Sequence, residues 1–477
     1  MLLRRAALPV RGRAIALAAV VAIAFSVGLP AALPSNRGRI ALPPSPRARP
    51  DIILVTIDAL RADHVSRYGY GRLTSPLIDA FSRGAVVFTD AIAQAPYTKA
   101  SVASLMTGLY PSTHKTVSAS VPFPETMTGH LTSVPITTDV LPPNVTTLAQ
   151  AFQAAGYHTL GFTANPFLID AFGFSRGFDT FEFFPGPDFA SADHVVGPAL
   201  KQVEAIDRRP MCLWVHVMEP HSPYTPPEWA KGTFPLGGGP PEPIASTVAI
   251  PEWLLPGSPR DRRVYVASYD EEIAAADVAV DRLLRQLHDV RGVDNTVTVL
   301  TSDHGEQFLD HGGWEHSTTL YEELIRVPLI IKAPHPSPRT VKAQVQLIDL
   351  FPTLLEYAGI AVPEAIAGRS LSAALHGVDE SRPAFSEIAG SQYAVRVDGW
   401  KLIVSSDGSR QLFDLGEDPH EQHDVAARQT ARSDELERLL YRNLAASLKR
   451  GRSISATTMP VAPNVLQRLG AVGYFGR

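Results

Sequence analysis

Several short stretches carry side chains whose types and spacing suit chemistry on a charged ester. Thr98 opens the run Thr98-Lys-Ala-Ser-Val-Ala-Ser-Leu-Met-Thr107-Gly108, whose small residues let other backbone approach and whose glycine closes a short helix. A hydroxyl at a helix start lies among unpaired N–H groups at the positive end of the peptide dipoles. That is a place for a nucleophile, and equally for a threonine that merely caps the helix. Asp58 ends the apolar run from Asp51, and Asp303-His304 follows the apolar run Thr296–Thr301. An adjacent Asp and His at the exit of a buried strand are costly to bury without a partner, so they signal a metal ion. A surface turn with a capping Asp is the competing reading. Asp58, Thr98, Asp303 and His304 together form a mixed oxygen and nitrogen set. Its imidazole favours Zn²⁺ or Mn²⁺, with Ca²⁺ or Mg²⁺ less suited. A divalent cation held there lowers the pKa of the Thr98 hydroxyl. Further candidates are His216 and His221 after the run Met211–Val217, His311 and His316 in His311-Gly-Gly-Trp-Glu-His316, and Lys99 beside the candidate nucleophile. His221 suits leaving-group protonation, while His216 reads equally as a core histidine. Lys99, His216 and His311 are assigned to substrate binding.

The elements that must position these residues are legible in outline. Strand-length apolar runs at Asp51–Asp58, His158–Thr163, Met211–Val217, Thr296–Thr301 and Val327–Lys332 alternate with helical segments such as Val145–Ala155 and Arg263–Val290. Runs apolar on both faces suit the centre of a parallel sheet, and the alternation predicts an α/β sandwich. Sites in such sheets form at the carboxyl ends of strands, where Asp58, His216 and Asp303 stand. Ser118–Pro143 and the Pro-rich Ser222–Arg260 read as long surface loops, the second carrying Trp229, Phe234 and Trp253. Beyond Pro363, Tyr393–Val404 reads as two strands around an Asp-Gly turn. Leu412–Pro419, a helix near Asp434–Lys449 and a tail from Ile454 that packs back on the body follow.

A chain with 45% hydrophobic and 19% charged residues is globular, and a net charge of −5 gives no footprint for nucleic acid. The single cysteine, Cys212, lies in an apolar run and reads as a core residue. Arg4, Arg5, Arg11 and Arg13 precede an uncharged apolar stretch from Ala14 to Leu33, the pattern of an export signal or a single membrane anchor. The expected organisation is residues 1–35 as signal or anchor, 36–50 as linker, 51–363 as catalytic domain and 364–477 as a C-terminal subdomain. The catalytic body is expected outside the cytoplasm, secreted, periplasmic or membrane-attached.

Taken together, these blocks resemble the sulfatase family of the alkaline phosphatase superfamily. Its nucleophile, a Cys, Ser or Thr, is followed nine and ten residues later by Thr-Gly, as Thr98 is by Thr107-Gly108. Thr56-Ile-Asp58-Ala-Leu-Arg61-Ala-Asp63-His64, His216-Val-Met-Glu-Pro-His221, Asp303-His304-Gly-Glu306 and the His311–His316 block fall in the family's order, as do Trp400-Lys-Leu-Ile and Phe413-Asp-Leu-Gly-Glu-Asp-Pro. The resemblance implies an alkaline-phosphatase-like sandwich with a mostly parallel sheet and a small C-terminal antiparallel sheet. It also implies Asp58 as a carboxylate ligand, and His316 at a position where a Lys or His contacts the charged ester group. Arg61 and Asp63 are expected to form a local ion pair.

The departures from the family pattern matter. Ala59 replaces a second Asp, and Val102 stands where the sulfate-cleaving members carry the Arg of the formylglycine motif. Threonine cannot become formylglycine. Ser101-Val-Ala-Ser-Leu105 approximates a serine version of that motif, but in the wrong register to Thr107-Gly108. A direct threonine nucleophile is what phosphate-transferring relatives use. The resemblance therefore implies a metal-dependent hydrolase of sulfuric or phosphoric esters, with phosphoester chemistry favoured and small molecules, glycans or lipids as substrates. The alternatives are a membrane-attached phosphoethanolamine- or phosphoglycerol-type transferase and a non-catalytic binding protein.

Overall fold

The computed structural model describes residues 49–118, 137–185, 191–236, 240–292 and 294–460. The N-terminal signal or anchor segment lies outside them. No helix among the described residues is long and apolar enough to cross a membrane.

Asp51–Ile57 is buried along its whole length and sits at the centre of a nine-stranded sheet. It runs parallel to Met211–Val217 on one side and to Thr296–Ser302 on the other. Beyond Met211–Val217 lie His158–Thr163 and then Thr180–Phe183, all parallel. Arg326–Lys332 pairs antiparallel with Thr296–Ser302 and with Val86–Ile92, which makes the sheet mixed but mostly parallel. A strand flanked by strands and covered on both faces is apolar along most of its length. Met211–Val217 is buried throughout and apolar at every position but His216.

Large apolar clusters cover the two faces. One joins Phe88, Val102, Phe152, Trp214 and Phe351, so the Thr98–Thr107 helix lies against that face. The other contains Val55, Val215, Tyr269 and Leu283 of the Arg262–Arg291 helix. The Leu148–Ala154 helix starts at Thr147, whose side chain and that of Gln150 cap each other's backbone N–H.

The C-terminal region builds a four-stranded antiparallel sheet from Ala384–Ile388, Gln392–Val397, Trp400–Ser405 and Arg410–Asp414. Its central hairpin turns at Asp398-Gly399, both left-handed with φ of 52° and 78°. That is the backbone an Asp-Gly hairpin turn requires. The Thr430–Arg450 helix packs Leu436, Leu440 and Leu444 on this sheet. The α/β class with a small antiparallel C-terminal sheet therefore agrees with the sequence reading.

Two details differ from it. Thr137–Val140, inside the stretch read as a loop, is a strand that pairs antiparallel with Thr457–Pro460 of the tail. Its partner is so distant in sequence that no local signal marks the pairing. Val86–Ile92 was not read as a strand because Thr89 and Asp90 interrupt its apolar run.

Gly108 ends the Thr98–Thr107 helix in the left-handed region at φ 67°, and a Cβ added there would meet the Phe351 ring at 3.2 Å. Gly108→Ala should therefore cost about 1–2 kcal/mol of stability, seen as a lower urea midpoint. An unchanged midpoint would contradict this.

Candidate active site and metal centre

The site collects at the carboxyl ends of the central strands. Asp58 follows the Asp51–Ile57 strand, and Asp303-His304 follows Thr296–Ser302. His216 is the penultimate residue of Met211–Val217, and Asn165 lies two residues past His158–Thr163. Thr98 is brought in from above as the first residue of its ten-residue helix. The cap position is Tyr97, and no side chain caps this helix. The Thr98 hydroxyl is therefore not spent as a cap.

It points at the cluster instead. Thr98 Oγ1 lies 3.1 Å from His304 Nε2 and donates toward Asp58 Oδ1 at 3.4 Å. Asn165 Nδ2 donates to Asp58 Oδ2 at 2.6 Å and reaches Thr98 Oγ1 at 3.4 Å. His216 Nε2 lies 3.0 Å from the same Oδ2. Its Nδ1 is 2.7 Å from Thr56 Oγ1, which accepts from Trp214 Nε1 at 3.0 Å. Asp58, Thr98, Asn165, His216, Asp303 and His304 are all buried.

Burial alone would push the Asp58 carboxyl up. The charge of His221, the His216 hydrogen bond and His304 outweigh it and hold Asp58 well below the ordinary carboxyl range. Asp303 goes the other way, raised by burial and by the neighbouring Asp58 charge. Its Oδ1 accepts the backbone N–H groups of Ala59 at 3.3 Å and His304 at 3.0 Å. Its Oδ2 accepts no hydrogen bond among the described residues.

That orphaned oxygen bears on a cation. Asp58, His216 and Asp303 each offer a ligand atom within 4.8 Å of the others. His304 Nδ1 faces the Gly305 carbonyl at 2.8 Å, so Nδ1 carries the proton and Nε2 presents a lone pair. That lone pair lies 3.5 Å from a carboxylate oxygen of Asp58 and of Asp303. A lone pair facing two acidic side chains, one with an unpartnered oxygen, fits a divalent cation. Asp58 and Asp303 are common to this group and to the donor set expected from the sequence, and His216 is the group's imidazole.

His221 and His316 stand together at one side, ring centroids 4.9 Å apart, and His316 lies 4.4 Å from His304. His221 Nδ1 donates to the Ser222 carbonyl at 2.6 Å. His316 Nδ1 meets Glu306 Oε1 at 3.0 Å. Burial works against a charged His221, yet Asp58 and Glu306 raise its pKa. Burial and the nearby His221 pull His316 down to about 4. Glu306, pushed up to about 7 by burial, was not singled out from the sequence, although it sits two residues beyond His304.

Two of the candidates go elsewhere. His311 stacks on Tyr321 at 3.6 Å, bonds Glu323 through Nδ1 at 2.8 Å and the Glu421 carbonyl through Nε2 at 3.1 Å. Both nitrogens are engaged in tying the loop to the C-terminal region. Lys99 turns its amine to Thr138 Oγ1 at 2.6 Å and over the Phe172 ring at 4.6 Å. Burial draws that amine down to about 7. It is not brought to the cluster, because the helix turns Lys99 away from the face that carries Thr98. Ser101, the alternative nucleophile, donates to the Asp303 carbonyl at 2.6 Å. Arg61 pairs with Asp63 at 2.8 Å, as expected, and also with Asp310 at 3.0 Å.

The chain matches the family model described as Sulfatase over residues 50–360, and that described as N-sulphoglucosamine sulphohydrolase, C-terminal, over residues 310–449. Arylsulfatase K of Xenopus laevis is 32% identical over 200 residues, covering 38% of this chain and 37% of that protein. The match thus spans little more than a third of that relative. A protein solved in complex with its substrate D-glucosamine-2-N,6-O-disulfate shares the fold with a TM-score of 0.71 at 20% identity, covering 84% of this chain and 98% of that one. The phosphonate monoester hydrolase of Agrobacterium radiobacter does so with a TM-score of 0.67 at 21% identity, covering 84% and 96%.

If Asp58 and Asp303 are clustered for a cation, Asp303→Asn should separate two effects. A raised carboxyl pKa means that ionisation of Asp303 costs stability as pH rises through it. At pH 8 in chelator, Asp303→Asn should therefore unfold at a temperature equal to or above that of the parent protein. Zn²⁺ or Mn²⁺ should raise the parent's Tm and leave the variant's unmoved. An equal metal-induced rise in both would contradict the ligand assignment.

Proposed function

The chain belongs to the sulfatase family, and from that premise we propose that it hydrolyses anionic esters by attack of the Thr98 hydroxyl, with phosphoric esters preferred. The observation that carries this reading is the place of Thr98 Oγ1 at a helix start, between Asp58, His304 and Asn165. Asn165 and Asp58 fix the hydroxyl's direction, and Asp58 Oδ1 and His304 Nε2 are the acceptors within reach of its proton. Asp58, Asp303 and His304, with Thr98, would hold the divalent cation. When bound, such a cation supplies Lewis acidity that favours the threonine alkoxide and offsets charge on the ester oxygens.

The Oγ1–P bond forms as the bond from phosphorus to the leaving oxygen breaks. The leaving oxygen takes a proton from the His221–His316 pair, for which His221 is the better donor because its pKa is raised. Water then attacks phosphorus and gives a proton back to His221, the P–Oγ1 bond breaks, and Thr98 recovers the proton it gave up. Sulfate ester hydrolysis on the same residues is the second reading, favoured by the arylsulfatase relative. Phosphorus is preferred because threonine cannot supply formylglycine and buried Val102 offers no guanidinium to a sulfate. The basic and apolar N-terminal stretch supports an extracytoplasmic place for this chemistry.

The test is a panel of aryl sulfate, aryl phosphate monoester and aryl phosphodiester with Zn²⁺, Mn²⁺ or Ca²⁺. Phosphoester turnover should exceed sulfate turnover, and Thr98→Ala should lose on the order of 10³-fold or more. Sulfate turnover that survives Thr98→Ala would sink the nucleophile assignment. The proton donor has a pH signature as well. With His221 held protonated to higher pH than a free imidazole, kcat should fall as pH rises past its pKa. His221→Gln should lower the rate and remove that alkaline fall, and a fall that persists in the variant would reject His221 as donor.

A further inference from the structure

His316 sits in strained backbone. Glu315 and Ser317, on either side of it, are both left-handed, with φ of 60° and 78°. Non-glycine residues hold that conformation only where their surroundings over-determine it, and such residues gather at functional sites. Here the surroundings are specific. Ser317 N–H donates to the Pro96 carbonyl at 2.9 Å, two residues before Thr98. Glu315 turns its side chain the other way, where one oxygen, Oε1, accepts from Ser222 Oγ at 2.8 Å and from Trp253 Nε1 at 3.1 Å. Ser222 follows His221 directly, and Trp253 belongs to the Pro-rich stretch after it. The strained pair thus clamps the His316 segment to the nucleophile's entry loop on one side and to the His221 segment on the other.

We propose that Glu315 is a positioning residue, its Oε1 tying the His221 and His316 segments to each other and to Trp253 so that the two rings face the ester over Thr98 in one fixed arrangement. The inference rests on the reading of His221 and His316 as the groups that serve the leaving oxygen. A carboxylate oxygen accepts two hydrogen bonds at once, as this junction requires, and so does the amide oxygen of glutamine. Geometry is the junction's main contribution; the Glu315 charge also adds to the raising of His221 and opposes the lowering of His316. The Ser222–Arg260 stretch joins the site through this contact, so Trp253 couples the placement of that stretch to the histidine pair.

The experiment compares Glu315→Ala and Glu315→Gln in the full chain, on two esters that share the transferred group and differ in leaving-group acidity. Glu315→Ala should lower kcat on the poorer leaving group by on the order of 10- to 100-fold, less on the better one, with KM little changed. Glu315→Gln should restore kcat to within about threefold, because it keeps the acceptor and loses only the charge. Glutamine as damaging as alanine, equal losses on both esters, or full activity in Glu315→Ala would each overturn the proposal. Should Glu315→Ala fail to fold, Ser222→Ala combined with Trp253→Phe removes the two donors and leaves the carboxylate. The same selective loss on the poorer leaving group is expected there, and its absence overturns the proposal. Thr98→Ala is run alongside. Turnover that survives it contradicts the nucleophile reading, while the Glu315 comparison still reports on the junction.

Discussion

A fully buried carboxylate, Asp58, is what the rest of the site depends on. Removing such a charge from water costs several kcal/mol unless other groups replace its hydration. Here the replacements arrive from separate strand ends: His216, Asn165 and the Asp303-His304 pair, with Thr98 reaching in from its helix. Each partner is where it is because parallel strands end together at one edge of the sheet. Charge compensation and the placing of the Thr98 hydroxyl are therefore one arrangement. The Thr56 hydroxyl, in contact with His216 Nδ1 and with the Trp214 indole, extends it a further step.

The same edge bears on the proposed preference for phosphoric esters. Cation-bearing side chains that would meet a sulfate permanently are absent from the cluster among the described residues, since Val102 is apolar and Lys99 is turned onto Phe172. Histidines take their place, with protonation set by burial and by Asp58 and Glu306. The C-terminal sheet supports this loop from outside. Lys401, with no exposed surface, bonds Glu322 at 3.2 Å and Glu421 at 2.8 Å, and His311 bridges Glu323 to the Glu421 carbonyl. These contacts brace the stretch that carries His316.

Much of this was legible in the sequence, for a physical reason. An apolar strand followed at once by Asp or Asp-His needs a partner for a buried polar group, and Asp58, Asp303 and His304 all showed that signature. Asn165 did not, because an uncharged side chain two residues beyond its strand carries no such penalty; the strand-end rule alone would have found it. His216 was readable only as an ambiguity between core and site, and in the structure it is buried with Nε2 3.0 Å from Asp58. That Lys99 turns to Thr138 and Phe172 and His311 to Glu323 could not be read, because a motif says which residue is present and not where its side chain turns. The pairing of Thr137–Val140 with Thr457–Pro460 joins segments too far apart for local pattern to reveal.

The most direct measurement of the central claim is to stop a phosphoester reaction in acid during turnover and map the protein by peptide mass spectrometry. The account predicts a phosphoryl adduct on the peptide holding Thr98, located at that hydroxyl and absent from Thr98→Ser only if serine turns over too fast to accumulate it. An adduct on Ser101, or covalent labelling that persists in Thr98→Ala, would contradict it.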